Sequence, residues 1–195
     1  TITLGRIVTH TPNTFETAKR HFQDGMAAIE RGEFARAEEH LLISLRALPG
    51  RISTLTNLAA AQIKLRKYEE ARANASVSVG LDAENALGWM NVGIASMYLD
   101  HHEASLNAFD RALELQPGLA EALTSKGALL GRLRRHEEAI PLHDAAIAAQ
   151  PGFPEPWYNK ATALSHLGLD AEAIGLFDHA LSIQPDFALA HVNKA

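Results

Sequence analysis

Ten histidines are spread over the 195 residues of the chain. Imidazole is the side chain best suited to proton transfer near neutral pH, and it is a common ligand for divalent metals. The tightest group is His101, His102 and Glu103, with His136 further on. These residues fall in equivalent turns of two neighbouring sequence units, so stacking of the units would carry His102 towards His136. Turn histidines beside acids ordinarily stand in water, and the group is read as solvated surface with no metal. His143 stands where the equivalent positions hold Phe109 and Phe177, which makes it a packed core histidine. No His-Glu-x-x-His helix, phosphate-cradling glycine loop or nucleophile elbow occurs. The absence of cysteine removes disulfides, thiolate nucleophiles and cysteine-bound zinc. Asn74-Ala75-Ser76 fits a glycosylation sequon but lies within a helical pattern. The chain therefore reads as non-enzymatic, with no catalytic residues and no cofactor.

The elements that would position any site follow from a period. LQPG, AQPG and IQPD place Pro117, Pro151 and Pro185 at intervals of 34 residues. On that ruler one column holds Gly25, Ala59, Gly93, Gly127, Ala161 and Ala195. A second holds Ala37, Ala71, Ser105, Ala139 and Ala173, and a third Ser44, Ser78, Ala112, Ala146 and Ala180. Leu65, Leu99, Leu133 and Leu167 share a column of large residues, as do Trp89 and Trp157. Small residues at fixed places let antiparallel helices approach closely, while bulky ones fill the gap between them. Within each period, apolar residues recur at helical spacing in two blocks, as in Trp157, Ala161, Leu164 and then Ala173, Phe177, Leu181. A glycine or polar turn separates the blocks. Each unit is a helical hairpin too small to bury its own apolar face, so the units must stack.

These residues resemble the tetratricopeptide repeat family, whose 34-residue signature runs Trp, Leu-Gly, Tyr, then Ala, Phe and Pro. The best match is Trp89 to Gly93 with Ser105, Phe109 and Pro117; Trp157, Ala161, Ala173, Phe177 and Pro185 follow closely. A constant spacing disfavours pentatricopeptide and Sel1-like repeats. The resemblance implies an all-α fold: a right-handed superhelix (solenoid) of five hairpins plus the start of a sixth. The repeats are 18–51, 52–85, 86–119, 120–153 and 154–187, with 188–195 partial, behind an N-terminal extension 1–17 poor in helix signals. Ending in mid-repeat, at Ala195, is what a piece of a longer protein would show. Ala75 replaces the aromatic of Phe109 and Phe177, and Val77, Val79 and Gly80 are poor helix formers, so the second helix of repeat 2 is expected to be the softest. Pro141 falls about one turn into its helix, where it is tolerated or kinks it. His21 and His191 occupy the tryptophan column as weaker packing choices.

The resemblance also implies that the first helix of each repeat lines a concave face. Inward positions would be Phe22, Gln23, Met26 and Glu30; Thr56, Asn57, Ala60 and Lys64; Met90, Asn91, Ile94, Met97 and Tyr98. The fourth and fifth repeats would add Thr124, Ser125, Ala128 and Arg132, then Tyr158, Asn159, Thr162 and His166. One inward column, Gln23, Asn57, Asn91, Ser125, Asn159 and Asn193, looks like the asparagine ladder of the O-linked N-acetylglucosamine transferase superhelix. A side-chain amide both donates to and accepts from a peptide backbone. It can equally bond between repeats. Four such bonds contribute about 2–6 kcal/mol, against an association cost of about 4–15 kcal/mol, so apolar anchors are needed. Met90, Ile94, Met97 and Tyr98 form the expected anchor patch, adaptable because methionine is flexible. Its alternative role is to pack against the chain's own segment of Ile2, Leu4, Ile7, Val8 and Phe15. The inward pairs Phe22 with Met26, Thr56 with Ala60, and Met90 with Ile94 lack the Lys–Asn pair with which related domains clamp the C-terminal carboxylate of heat-shock proteins.

Composition narrows the partners. Eighteen Lys and Arg against 23 Asp and Glu give a net charge of −5, which offers no field for nucleic-acid phosphates. No apolar run approaches the roughly 18 residues of a membrane helix, and the cytoplasm is the default location. The expected function is a non-catalytic scaffold binding an extended peptide segment of a protein partner through Asn57, Asn91, Asn159, Asn193, Met90, Ile94, Met97, Tyr98, Tyr158, Lys64 and Arg132. Two other readings stay open. The array could be the substrate-recruiting arm of a larger enzyme such as a bacterial glycosyltransferase, or a self-assembling module that pairs through an uncapped C-terminal end.

Overall fold

A computed structural model describes residues 12–186, with side chains from Thr14 onward; Asn193 and His191 lie outside that range. The described residues form ten α-helices: α1 (Pro12–Glu30), α2 (Phe34–Ala47), α3 (Ile52–Lys64), α4 (Tyr68–Leu81), α5 (Ala86–Tyr98), α6 (His102–Leu115), α7 (Ala120–Arg132), α8 (His136–Ala149), α9 (Pro154–His166) and α10 (Asp170–Ile183). The second helices open at Phe34, Tyr68, His102, His136 and Asp170, each step being 34 residues. Helix α1 opens earlier than the repeat frame, at Pro12. Proline is well suited to a first helical position because its φ is preset and its missing N–H would be unsatisfied there anyway. Part of the stretch expected to be poor in helix signals is thus helical. No helix among the described residues is long and apolar enough to cross a membrane.

The hairpins close by the same backbone device each time. Gly32, Arg66, Asp100, Arg134 and Gly168, spaced by 34, all take the left-handed conformation, with φ of 72°, 62°, 58°, 60° and 78°. The residue after each donates its N–H to a carbonyl in the last turn of the preceding helix: Glu33 to Ala28, Lys67 to Gln62, His101 to Ser96 and Arg135 to Leu130 at 2.9 Å, and Leu169 to Leu164 at 3.0 Å. This is the Schellman closure that satisfies the last carbonyls of a helix. Glycine suits the left-handed site because it lacks the Cβ that crowds the carbonyl; three of the five units close without it.

The chain divides into two compact units, one ending at Glu84 and the other beginning at Asn85. In the first, α1 packs on α2, α2 on α3, and α3 on α4. Leu41 fills the space left by Gly25, where an added Cβ would come within 2.8 Å of Leu41 Cγ. Ser44 Oγ donates to the Ala18 carbonyl at 2.8 Å. Helix α4 buries only Ala71, Ala75, Ser78 and Val79, with no aromatic, yet runs its full 14 residues. Polar links tie it to α3: Thr56 and Ser78 share a hydroxyl hydrogen bond of 2.8 Å, and Asn74 donates to Gln62 Oε1 at 2.8 Å. Gln62 in turn donates to Glu38 at 3.2 Å, which also holds Lys67 Nζ at 2.6 Å.

In the second unit the hairpins α5–α6, α7–α8 and α9–α10 are joined by packing of α6 on α7 and α8 on α9. Phe109 is fully buried against Gly93, and Phe177 packs with Ala161, Leu164 and Ala173. Ser105 Oγ donates to the Gly93 carbonyl at 2.7 Å. Lys160 Nζ pairs with Asp144 at 2.6 Å, and Lys126 pairs with Asp110 one repeat earlier. Helix α8 continues through Pro141 without interruption.

The knob-and-hole packing makes opposite predictions for two glycines. At Gly93 a Cβ would lie 2.7 Å from Phe109 Cδ1 and Cε1, and the fully buried ring has nowhere to retreat. Gly93→Ala is expected to destabilise by about 1–3 kcal/mol through overpacking. Gly80 lies within α4 with nothing near a Cβ, so Gly80→Ala is expected to stabilise by about 0.5–1 kcal/mol. Urea unfolding of the two variants beside the parent chain checks both signs.

Candidate functional site

The second unit carries a cleft of about 320 Å³ between α7, α8 and α9. Its floor is open because small residues line it: Gly127, Ala128 and Gly131 on α7, Ala139 on α8 and Ala163 on α9. Polar groups converge from all three helices, namely Arg132, His136, His143, Asn159, Thr162 and His166. Of the residues expected to face inward, Ala128, Arg132, Asn159, Thr162 and His166 are thus brought to one place.

The histidines define the chemistry of the cleft. His143 is 1% exposed and presses on Gly127, whose Cβ would come within 2.5 Å of His143 Cε1. It is the expected core histidine, in the position that Phe109 and Phe177 hold elsewhere. Burial pushes its imidazole down to about 4; Asp144 acts to raise it and Lys160 to lower it further. His136 is also buried, which corrects its reading as a solvated turn residue. Its ring stacks on His166, not on His102, with centroids 4.6 Å apart and planes 22° from parallel. It opens α8 in the column of Phe34 and Tyr68, a position that favours a ring, and that column was the available signal. Burial lowers its affinity for a proton, with the neighbouring His166 and Arg134 acting the same way. The Nδ1 atoms of His136 and His143 are buried without a hydrogen-bond partner among the described residues.

The other polar groups are partly committed. Arg132 Nη2 pairs with Asp100 at 2.9 Å, while Nη1 donates to the Met97 carbonyl at 3.3 Å. Thr162 Oγ1 donates to the Tyr158 carbonyl at 3.0 Å and keeps its lone pairs for a ligand donor. With both buried histidines neutral near pH 7, the lining has hydrogen-bonding capacity, one cation already paired, and no carboxylate. Such a lining suits neutral polar groups, of which the peptide unit is the commonest in proteins.

The remaining expected site residues lie elsewhere. Asn57 and Lys64 are on α3 in the first unit; Lys64 is exposed, and Asn57 Nδ2 donates to the Ser53 carbonyl of its own helix at 2.8 Å. Asn91 is 2% exposed. Met90, Ile94 and Met97 are 6%, 6% and 7% exposed, so they offer core rather than the expected anchor surface. The apolar stretch of α5 is buried on more than one side, a state that a one-face expectation misses. Tyr98 is the member of that patch left accessible, at 48%. The Tyr158 ring packs on Phe177, with centroids 5.7 Å apart, and belongs to the hairpin core. Asn193 is outside the described residues.

A family model described as tetratricopeptide repeat matches residues 132–193, which includes most of the cleft. That segment carries the tetratricopeptide repeat pattern. Among solved structures, a thermophilic tetratricopeptide repeat protein of Thermus thermophilus is 20% identical with a TM-score of 0.78, over 91% of this chain and 96% of that one. The MamA protein is 25% identical with a TM-score of 0.68, over 89% of this chain and 94% of that one. YrrB, described as a tetratricopeptide repeat protein with an unusual peptide-binding site, is 22% identical with a TM-score of 0.65, covering 91% and 92% of the two chains. A curated relative, the Hsp70-Hsp90 organizing protein of Triticum aestivum, is 28% identical over 111 residues, 53% of this chain. The chain spans about a fifth of that relative, 19% of its length.

His143 makes stability pH-dependent. The unfolded chain takes up a proton at this residue near pH 6.5, the folded chain only near pH 4. Its contribution is therefore intact above about pH 6.5 and falls as pH drops towards 4, by about 1.4 kcal/mol per pH unit. His143→Phe, which restores the pairing that Gly93 makes with Phe109, is expected to remove that slope between pH 6.5 and 5. Urea unfolding of both proteins at pH 7 and pH 5 measures it.

Proposed function

We propose that this chain is a non-catalytic interaction scaffold, and that the α7–α9 cleft holds an extended peptide segment of a protein partner. The observation that carries the reading is the convergence of the Asn159 amide and the Thr162 hydroxyl on one open cleft whose lining holds no carboxylate. Each offers a hydrogen bond to a peptide N–H or C=O whatever the partner's side chains are, and neither brings a charge that would demand a complementary one. Tetratricopeptide repeat proteins characteristically bind other proteins, and the peptide-binding site named for YrrB is in keeping with a peptide ligand. The name of the wheat relative points to chaperone partners. The inward pairs Thr56 with Ala60 and Met90 with Ile94 supply no cation for a chaperone carboxylate, and they weigh against carrying that partner over.

Buried apolar residues on α5 leave anchoring to accessible rings, which makes Tyr98 and the His166 ring the candidates for side-chain contact. Selection of peptides from a random display library on the immobilised chain tests the proposal. Selected peptides are expected to bind Asn159→Ala about 2- to 12-fold more weakly, the effect of losing one neutral hydrogen bond, in fluorescence anisotropy on equally helical proteins. Failure to enrich any peptide, or equal binding by Asn159→Ala and Thr162→Val, counts against this cleft.

A further inference from the structure

Away from the cleft, α1 and α2 of the first unit bring together three side chains that no part of the peptide reading uses. His21 and Asp24 stand three residues apart on α1, so both project from one face of that helix. His40 reaches the same point from α2. The Nδ1 atoms of His21 and His40 are 2.9 Å apart, the rings tilted by 32° with centroids separated by 5.2 Å. Asp24 Oδ2 lies 4.0 Å from His40 Nδ1, its side chain half exposed and that of His40 one-fifth exposed. All three ligand atoms fall within 4.8 Å of one another, the one such group of three among the described residues.

We propose that His21, His40 and Asp24 form a binding site for a first-row divalent metal ion of the imidazole-preferring kind, best matched by Ni2+ or Cu2+. Metal–imidazole bonds are about 2.0–2.1 Å long, so two nitrogens 2.9 Å apart subtend about 90° at a shared ion. That is the cis angle of tetragonal and octahedral coordination, the geometry of Cu2+ and Ni2+. A tetrahedral Zn2+ site would need the nitrogens about 3.3 Å apart. The carboxylate must close by roughly 1 Å to reach a cis position at that bond length, a movement within the range of a half-exposed side chain.

Proton balance allows the exchange. Without metal, one neutral imidazole donates its Nδ1–H to the other Nδ1. If that proton moves to Nε2, both Nδ1 lone pairs face the same point and repel. A cation seated to one side of the line between the nitrogens, with each ring turned to aim its lone pair at it, turns the repulsion into two donor bonds, and no proton has to leave the protein. The carboxylate supplies one of the two positive charges' worth of compensation, and water fills the remaining positions at the exposed edge.

Calorimetric titration of the full chain, free of any histidine tag, with Ni2+ tests the site, with Mg2+ as the oxygen-preferring control. One Ni2+ per chain is expected, with no heat from Mg2+. His21→Gln and His40→Gln are each expected to weaken Ni2+ at least about tenfold, Asp24→Asn less, and His101→Gln, in an exposed turn, not at all. With Cu2+, electron paramagnetic resonance is expected to show coupling to two imidazole nitrogens in the parent chain and one in either histidine variant. Absence of saturable Ni2+ binding, affinity unchanged by both histidine variants, or Cu2+ spectra without two nitrogens would each overturn the proposal. Circular dichroism shows whether each variant is folded; should both histidine variants unfold, the parent spectrum alone decides.

Discussion

One contact recurs in every repeat and the rest of the structure is arranged around it. A small residue on the first helix opens a hole, and a residue on the second helix fills it. The pairs by position are Gly25 with Leu41, Ala59 with Ala75, Gly93 with Phe109, Gly127 with His143 and Ala161 with Phe177. Where the hole is glycine, a single added carbon would come within 2.5–2.8 Å of the knob, closer than real side chains stand. The helices of each hairpin can approach this far only because the turn between them is fixed by the left-handed residue at positions 32, 66, 100, 134 and 168. Apart from Asn85 on α5, the helix starts from α2 to α10 have no side-chain cap hydrogen bond. Stability is thus delegated to tertiary packing rather than to helix ends, as expected for helices only 13 or 14 residues long.

Changing the knob changes what a hairpin can do. Phe109 and Phe177 fill their holes with apolar ring and leave nothing over. Ala75 is too small for that, and α4 is held instead by hydrogen bonds through Thr56, Ser78, Asn74 and Gln62. These bonds are directional and each contributes about 1 kcal/mol net, less than the burial of a phenylalanine ring. His143 is the third solution. It fits the hole shaped for an aromatic ring but brings two nitrogens into it. Burial keeps the ring uncharged and leaves Nδ1 unpartnered, an arrangement that a pure packing role does not require.

The period, the helix starts and the identity of the small columns were legible in the sequence because they are constraints that every repeat obeys. A fault in one repeat is exposed by the others, so His143 could be assigned to the core from Phe109 and Phe177 alone. What was not legible depends on a second coordinate, the neighbour across the stack. Met90, Ile94 and Met97 have the right helical phase for a surface facing inward, yet phase says nothing about how much of that surface a neighbour covers. The stacking of His136 on His166 joins two different repeats, and His21 meets His40 across a hairpin. Neither separation is a multiple of the repeat, so a reading organised by columns passes over both.

The same logic explains why a cleft forms between α7, α8 and α9. A cleft needs missing volume, and repeat 4 removes it at several adjacent places at once: Gly127, Ala128 and Gly131 on α7, Ala139 on α8. In repeat 3 the positions of Ala128 and Arg132 carry Ile94 and Tyr98, and that of Gly131 carries Met97. Ile94 and Met97 are themselves buried. Bulk in repeat 3 closes the space that repeat 4 leaves open, although the two share one backbone plan. Where the hole-and-knob contact holds the hairpin, as it does through His143 in repeat 4, the positions beside it can trade volume for polar reach. Repeat 4 has made that trade: Gly127, Ala128 and Gly131 give up volume, and Arg132 reaches across to Asp100 beside the space they leave.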